Sequence, residues 1–287
     1  MEQRFEFGDW SVNCLPEDGG RLARLQYRGS DLLTSLPASF RPPAADYGRY
    51  ETRPVFGYDD CFPTVDACRH PDTGQPLPDH GELCWLDWSV QRSADGLRCE
   101  CRGRLLPVLF TRTLHFKANT LTWHFALRND GPVPIRGLHV MHALMPPAGI
   151  AALTFPDCSE TAEETATGFP TTGSHEDLGR QLLALPKGHY VMLLLRGIRQ
   201  GEVRVALKDT GKLTIRFSAD RFPTLGIWWN NGGYPDEAGL RRSECAFEPI
   251  PGSCSALATA AAQGSVLDIP ANGCQEWNVT WTFDHER

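Results

Sequence analysis

The feature that most constrains this chain is an alternation of apolar and polar residues with a period of two, repeated in run after run. Near the C-terminus, Trp277, Val279, Trp281 and Phe283 alternate with Asn278, Thr280 and Thr282. Successive side chains of a strand point to opposite faces, so such a run specifies a strand with one buried and one solvated face. Trp123, Phe125 and Leu127 oppose Thr122, His124 and Arg128 in the same way. Val203, Val205 and Leu207 oppose Glu202, Arg204 and Lys208, and Leu213, Ile215 and Phe217 oppose Lys212, Thr214 and Arg216. Lys117-Ala118-Asn119-Thr120 and Asp209-Thr210-Gly211 read as hairpin loops, and Asn129-Asp130-Gly131-Pro132 as a strand end. Helical signal is sparse. Ser255 to Gln263 is the best candidate, with a Ser to cap it, Ala to fill it and Gly264 to stop it. Asp31 to Leu36 reads as a single turn. Many strands and few helices predict an all-β protein, a large antiparallel β-sandwich. The 27 Gly and 22 Pro are scattered and mark no linker, so residues 1–287 are expected to form one domain. The polar stretch Asp157 to Asp177 reads as a surface excursion.

Charge removes several classes of partner. A net charge of -7 argues against a nucleic-acid backbone or an anionic membrane, both of which need clustered Lys and Arg. No apolar run approaches the roughly 18 residues of a membrane span. Met1 to Trp10 carries Glu2, Arg4, Glu6 and Asp9 and has no apolar signal core, so a cytoplasmic location is expected. The ten cysteines then read as free thiols. Cys99 and Cys101 share one face of a strand, and no second Cys/His pair follows at zinc-ligand spacing. Phosphate loops, nucleophile elbows and helix-borne zinc motifs are absent.

Three segments carry candidate chemistry. The first runs from Glu51 to Trp88 and centres on Asp79-His80-Gly81-Glu82, where His80 either faces a cleft or bonds to local backbone. The second, PVPIRGLHVMHALMPP, holds His139 and His142. Their odd separation puts them on opposite faces of a strand, so at most one faces a given cleft. The third, Phe222 to Leu257, contains Trp228-Trp229, Asn230 and Glu248. Pro249 holds Glu248 extended. A carboxylate in that apolar run needs solvent or a partner, and a salt bridge to Arg241 or Arg242 is one solution.

Together these segments resemble the galactose mutarotase-like superfamily, which includes aldose 1-epimerases and glucose-6-phosphate 1-epimerases. The resemblance rests on LPDHGELCW, then a His after N-x-x-P-x-P, then W-N followed by F-E-P, and extends from about Phe7 to Phe283. It implies a twisted antiparallel β-sandwich whose concave face binds a monosaccharide. It also implies interconversion of α and β anomers by acid–base ring opening, with neither metal nor organic cofactor. The chain is expected to be a monomer or homodimer. By position Glu248 matches the family's base and His142 its acid, with His139 as the rival. His80 matches a second histidine near the anomeric end, and Arg53, Trp229 and Asn230 fall where sugar contacts occur. Ala143-Leu144-Met145 departs from the aromatic residues usual in the family. Cys84 replaces the basic residue that helps hold phosphate in glucose-6-phosphate epimerases, and acidic Glu82 lies nearby. A neutral aldose is therefore expected over a hexose 6-phosphate. The other readings are a non-catalytic sugar-binding or sensing protein and a polysaccharide lyase.

Overall fold

In the computed structural model, residues 1–39, 49–165, 169, 175–237 and 239–284 are described. Two β layers face each other across the main hydrophobic core. One layer has eight strands in the order Ile150–Thr154, Glu202–Leu207, Gly211–Phe217, Cys274–Asp284, Thr120–Asn129, Val108–Lys117, Gly96–Arg102 and Ser89–Arg92. The other begins with Gln3–Phe7, Trp10–Leu15, Arg21–Tyr27, Tyr58–Cys61 and Val140–Ala143. Just beyond that last strand, Met145 and Cys245 exchange backbone hydrogen bonds of 2.7 and 2.9 Å. This pair stitches the layer to four more strands, Ser243–Ile250, Thr224–Asn231, His189–Arg196 and Glu160–Glu163. Neighbouring strands of both layers pair antiparallel. The fold is the expected large antiparallel β-sandwich.

The alternating runs lie as their pattern requires. Trp123, Phe125, Leu127, Val203, Val205, Leu213, Ile215, Trp277, Val279, Trp281 and Phe283 are buried in the core between the layers. Each large apolar side chain removed from water contributes about 1.5–3 kcal/mol. Both hairpins form, with Lys117 paired to Thr120 and Leu207 to Gly211. Cys99 and Cys101 are both buried in this core.

Three local expectations are corrected. The C-terminal helix runs Leu257–Ala262, two residues later than the Ser start implies. Ser255 is buried and spends its hydroxyl on Glu164, while Thr64 Oγ1, distant in sequence, accepts from Leu257 N at 3.1 Å. Asp31 to Leu36 forms no helical turn, because Ser30–Asp31 pairs with Arg21–Tyr27 and Leu32 and Leu33 drop into the core. The stretch read as a surface excursion instead supplies the edge strand Glu160–Glu163 and the start of a helix, His175–Leu183. Residues 166–168 and 170–174 of that stretch lie outside the described residues.

Alternation also sorts what faces the core from what faces away. Leu225, Ile227 and Trp229 point into the core, as do Cys245 and Phe247, Val191, Leu193 and Leu195, and Met141 and Ala143. The intervening residues of these four neighbouring strands form a second face, turned away from the eight-stranded sheet.

Candidate functional site

That second face floors a cavity of about 310 Å³, within the ordinary size of a small-molecule site. His142, Glu248, Trp228, Tyr190 and Met192 rise from the strands, and Tyr50, His80, Glu164 and Tyr234 enter from connecting segments.

His142 and Glu248 stand opposite each other, with Nε2 and Oε1 4.0 Å apart. That is too long for a hydrogen bond and leaves their polar edges to a third group. Gly226 pairs with Glu248 across the strands, and a Cβ there would meet Glu248 Oε2 at 3.2 Å, so glycine makes room for the carboxylate. Burial pushes the Glu248 carboxyl up to about 7, with Glu164 and Asp66 adding to the rise against protonated His80. Burial also drives His142 well below the ordinary imidazole value, helped by the positive charges of His80, Arg21 and Arg242.

Hydrogen bonding fixes the tautomer of His142. The Tyr50 hydroxyl donates to Asp59 Oδ2 at 2.6 Å. Its one proton is thereby used, so the oxygen accepts from His142 Nδ1–H at 3.1 Å. The unprotonated Nε2 is left facing Glu248. Asp59 is held in turn by Arg21, 3.0 Å away, and Arg53, 3.7 Å away, and Asp18 pairs with both arginines.

His80 sits in a strained turn. Its φ is +60° and that of Gly81 is +69°, the left-handed region that side chains disfavour. A Cβ on Gly81 would lie 2.0 Å from the Phe62 carbonyl oxygen, so only glycine lets this turn press against the strand end. The His80 amide donates to Val65 O at 2.6 Å and that of Glu82 to Phe62 O at 2.8 Å. Thus braced, the imidazole stacks on Tyr50 with centroids 3.8 Å apart and lies 5.0 Å from the His142 ring. Burial alone would lower the His80 value, but the Asp79 carboxylate, 2.8 Å from Nδ1, together with Glu248 and Glu51, outweighs it and raises the group above the ordinary imidazole.

The structure thus brings together His80, His142 and Glu248, and places the other expected residues elsewhere. Trp229 is packed in the core, and its neighbour Trp228 forms the cavity wall with Tyr190 and Tyr234, whose centroids lie 5.6 Å from it. Asn230 is buried beneath the wall, where it bonds Tyr234 O at 2.8 Å and receives the Gly233 and Tyr234 amides. It positions the segment bearing Tyr234. Arg53 is buried behind Tyr50 in its ion pairs. His139 faces the core, its Nε2 2.9 Å from Asp60 and its ring between Phe125 and Trp277. Arg242 pairs with Glu51 and Glu244, and Arg241 with Asp236, so the salt bridge considered for Glu248 does not form. Glu82 turns away from the cleft to accept the amides of Arg104 and Leu105, and Cys84 is buried. Neither lines the cavity. Sequence reasoning misses Tyr50, Asp66, Glu164 and Tyr190, and names Arg242 only as a partner for Glu248. The first two lie in irregular segments and Glu164 just past the edge strand, where no periodicity marks a facing.

No family model matches the chain, and no curated protein matches its sequence. Solved structures do match its fold. A protein from Synechocystis sp. PCC 6803 superposes with a TM-score of 0.73 at 17% identity, over 98% of this chain and 95% of that one. A galactose mutarotase related enzyme from Lactobacillus acidophilus gives 0.69 at 13% identity, over 99% and 98%. A galactose mutarotase-like protein from Lactobacillus casei ATCC 334 gives 0.69 at 14%, over 98% and 99%. The chain has the galactose mutarotase-like fold. Among the described residues no helix is long and apolar enough to cross a membrane.

Proposed function

We propose that the chain is an aldose 1-epimerase that interconverts the anomers of an unphosphorylated monosaccharide in the cytoplasm. The observation that carries this reading is the facing pair, Glu248 and His142, separated by 4.0 Å on the floor of a cavity walled by aromatic rings. Pyranoses present apolar C–H faces to aromatic rings, and Trp228 and Tyr190 offer such surfaces. The two titratable groups suit opposite proton transfers on one ring.

In this mechanism Glu248 takes the proton of the anomeric hydroxyl O1 as the C1–O5 bond breaks. O5 receives a proton from His142 Nε2. The aldehyde at C1 turns about C1–C2, the ring closes on its other face, and both protons return. The reactive state holds one proton on the pair. Without sugar, burial keeps that proton on Glu248. Sugar hydroxyls that hydrogen-bond the carboxylate favour its charged form and shift the proton to His142. His80, whose imidazole Asp79 holds above its ordinary value, binds the anomeric end. Asp66, Glu164 and Glu248 line the cavity, and its one arginine among the described residues, Arg242, is spent on Glu51 and Glu244. A phosphate dianion would meet repulsion there, which favours a neutral aldose over a hexose 6-phosphate.

Saturation-transfer NMR on a panel of aldoses tests the reading. Acceleration of anomer exchange, reduced at least about a hundredfold in Glu248→Gln, is expected. Sugar binding without acceleration would refute it and select a sensing role.

A further inference from the structure

We propose that the cleft also takes a thiophilic divalent cation, Zn²⁺, on Cys61, His80 and His142, and that ion and sugar exclude one another. One ligand atom from each of these residues lies within 4.8 Å of the others. The three come from a strand end, a turn and a second strand, 19 and 62 residues apart, so no motif spacing in the sequence points to them. The orientation of the rings is as telling as their proximity. Nδ1 of His80 is bonded to Asp79, and Nδ1 of His142 to the Tyr50 hydroxyl that donates to Asp59. Each imidazole thus has an outer partner on Nδ1, which leaves Nε2 as its nitrogen for a ligand, the arrangement that orients metal-bound histidines. Cys61 is wholly buried and has no part in the sugar reaction proposed above. Glu248 Oε1, 4.0 Å from His142 Nε2, can complete four ligands.

Tetrahedral zinc with Zn–S near 2.3 Å and Zn–N near 2.0 Å needs ligand atoms about 3.3–3.6 Å apart. Side-chain shifts of about 1 Å supply that contraction. A thiolate with two imidazoles selects zinc or cobalt over magnesium or calcium. On binding, the thiol S–H bond breaks and the sulfur–metal bond forms, His80 gives up its Nε2 proton, Glu248 gives up its carboxyl proton where it ligates, and these protons pass to buffer. The ion would occupy the nitrogens that the sugar reaction uses. That exclusion, unlike the binding itself, rests on the epimerase reading.

The test adds Co²⁺ to the full chain stripped of metal. One equivalent should give a thiolate-to-cobalt charge-transfer band with the visible absorption of a tetrahedral ion, and Zn²⁺ should bleach both. Cys61→Ser should lose the charge-transfer band and weaken Zn²⁺ binding by more than about tenfold, with unchanged circular dichroism and unchanged metal-free activity. Cys61→Ala, which adds no buried hydroxyl, should behave alike. A band that survives both substitutions would place the metal on other cysteines, such as exposed Cys274, and overturn the site. Absence of a band in the wild-type chain would do the same. Zn²⁺ should inhibit anomer exchange in competition with sugar, and Cys61→Ser should resist it. If the wild-type chain shows no exchange at all, the epimerase reading fails while the cobalt spectrum still decides the site.

Discussion

Glu248→Gln should inactivate the protein and stabilise it, and the stabilisation should grow with pH. Glu248 is 4% exposed on a buried strand, and burial raises its carboxyl from an ordinary 4.5 to about 7. The folded protein therefore binds a proton that the unfolded chain releases between those values. Stability from this group is complete below about pH 4.5 and declines as pH rises through about 7. Each pH unit between the two values is worth about 1.36 kcal/mol, so the ionised carboxylate costs about 3 kcal/mol above pH 7. A glutamine at this position would keep the shape of the neutral acid without that cost. The variant should gain about 2–3 kcal/mol over wild type between pH 5 and pH 8, read by urea unfolding at each pH. Taking the difference between the two proteins cancels most of what the other carboxylates contribute. His142 acts in the opposite sense. Its depressed value supports stability above the ordinary imidazole range, and this support is lost on acidification, so both proteins should weaken toward low pH. A difference that is flat with pH, or a variant less stable than wild type at pH 8, would refute the claim that a desolvated carboxyl is held here. A destabilised carboxylate retained at such a position makes sense only if activity requires it.

Three further expectations follow from the same geometry. Because the reactive state holds one proton on the Glu248–His142 pair, kcat/KM should be level from neutrality down to the depressed His142 value, fall below it as a second proton binds, and fall about tenfold per pH unit well above pH 7; a profile that rises through pH 8 would contradict the shared proton. Tyr50→Phe removes the donor to Asp59 and the acceptor for His142 Nδ1, so kcat should fall by about tenfold or more with KM nearly unchanged; an unaltered pH profile would show that the tautomer is set elsewhere. The adjacent tryptophans should separate cleanly: Trp228→Ala should raise KM by about tenfold with modest loss of stability, whereas Trp229→Ala should cost about 3–5 kcal/mol in unfolding free energy and leave KM of the folded fraction little changed.

The contrast between those tryptophans also shows how far a sequence reading reaches. Where a residue sits inside a regular strand, period two decides its facing, and the information is local. Leu225, Ile227 and Trp229 share a parity, as do Glu244, Ala246 and Glu248 on the partner strand, so the cavity face can be read as Trp228 opposite Ala246. Family position alone puts Trp229 in the site, against that parity. His139 and His142 follow the same rule, and their odd separation sends one to the core and the other to the cleft. Outside strands the information is not local. Tyr50 reaches His142 across 92 residues, and Glu164 reaches Ser255 across 91. Each depends on how a connecting segment crosses the sheet, which no periodicity encodes. Arg53 and Arg242 fail for a further reason. A sequence can suggest that an arginine lies near a cleft, but not that neighbouring carboxylates have already claimed it. Here Asp18, Asp59, Glu51 and Glu244 do so. The site therefore keeps its arginines as braces for other side chains and offers the ligand carboxylates, hydroxyls and the two imidazoles of His80 and His142. Cys84 suggests a neutral sugar, yet Cys84 does not touch the cavity; the acidic lining leads to that substrate class by a different physical route.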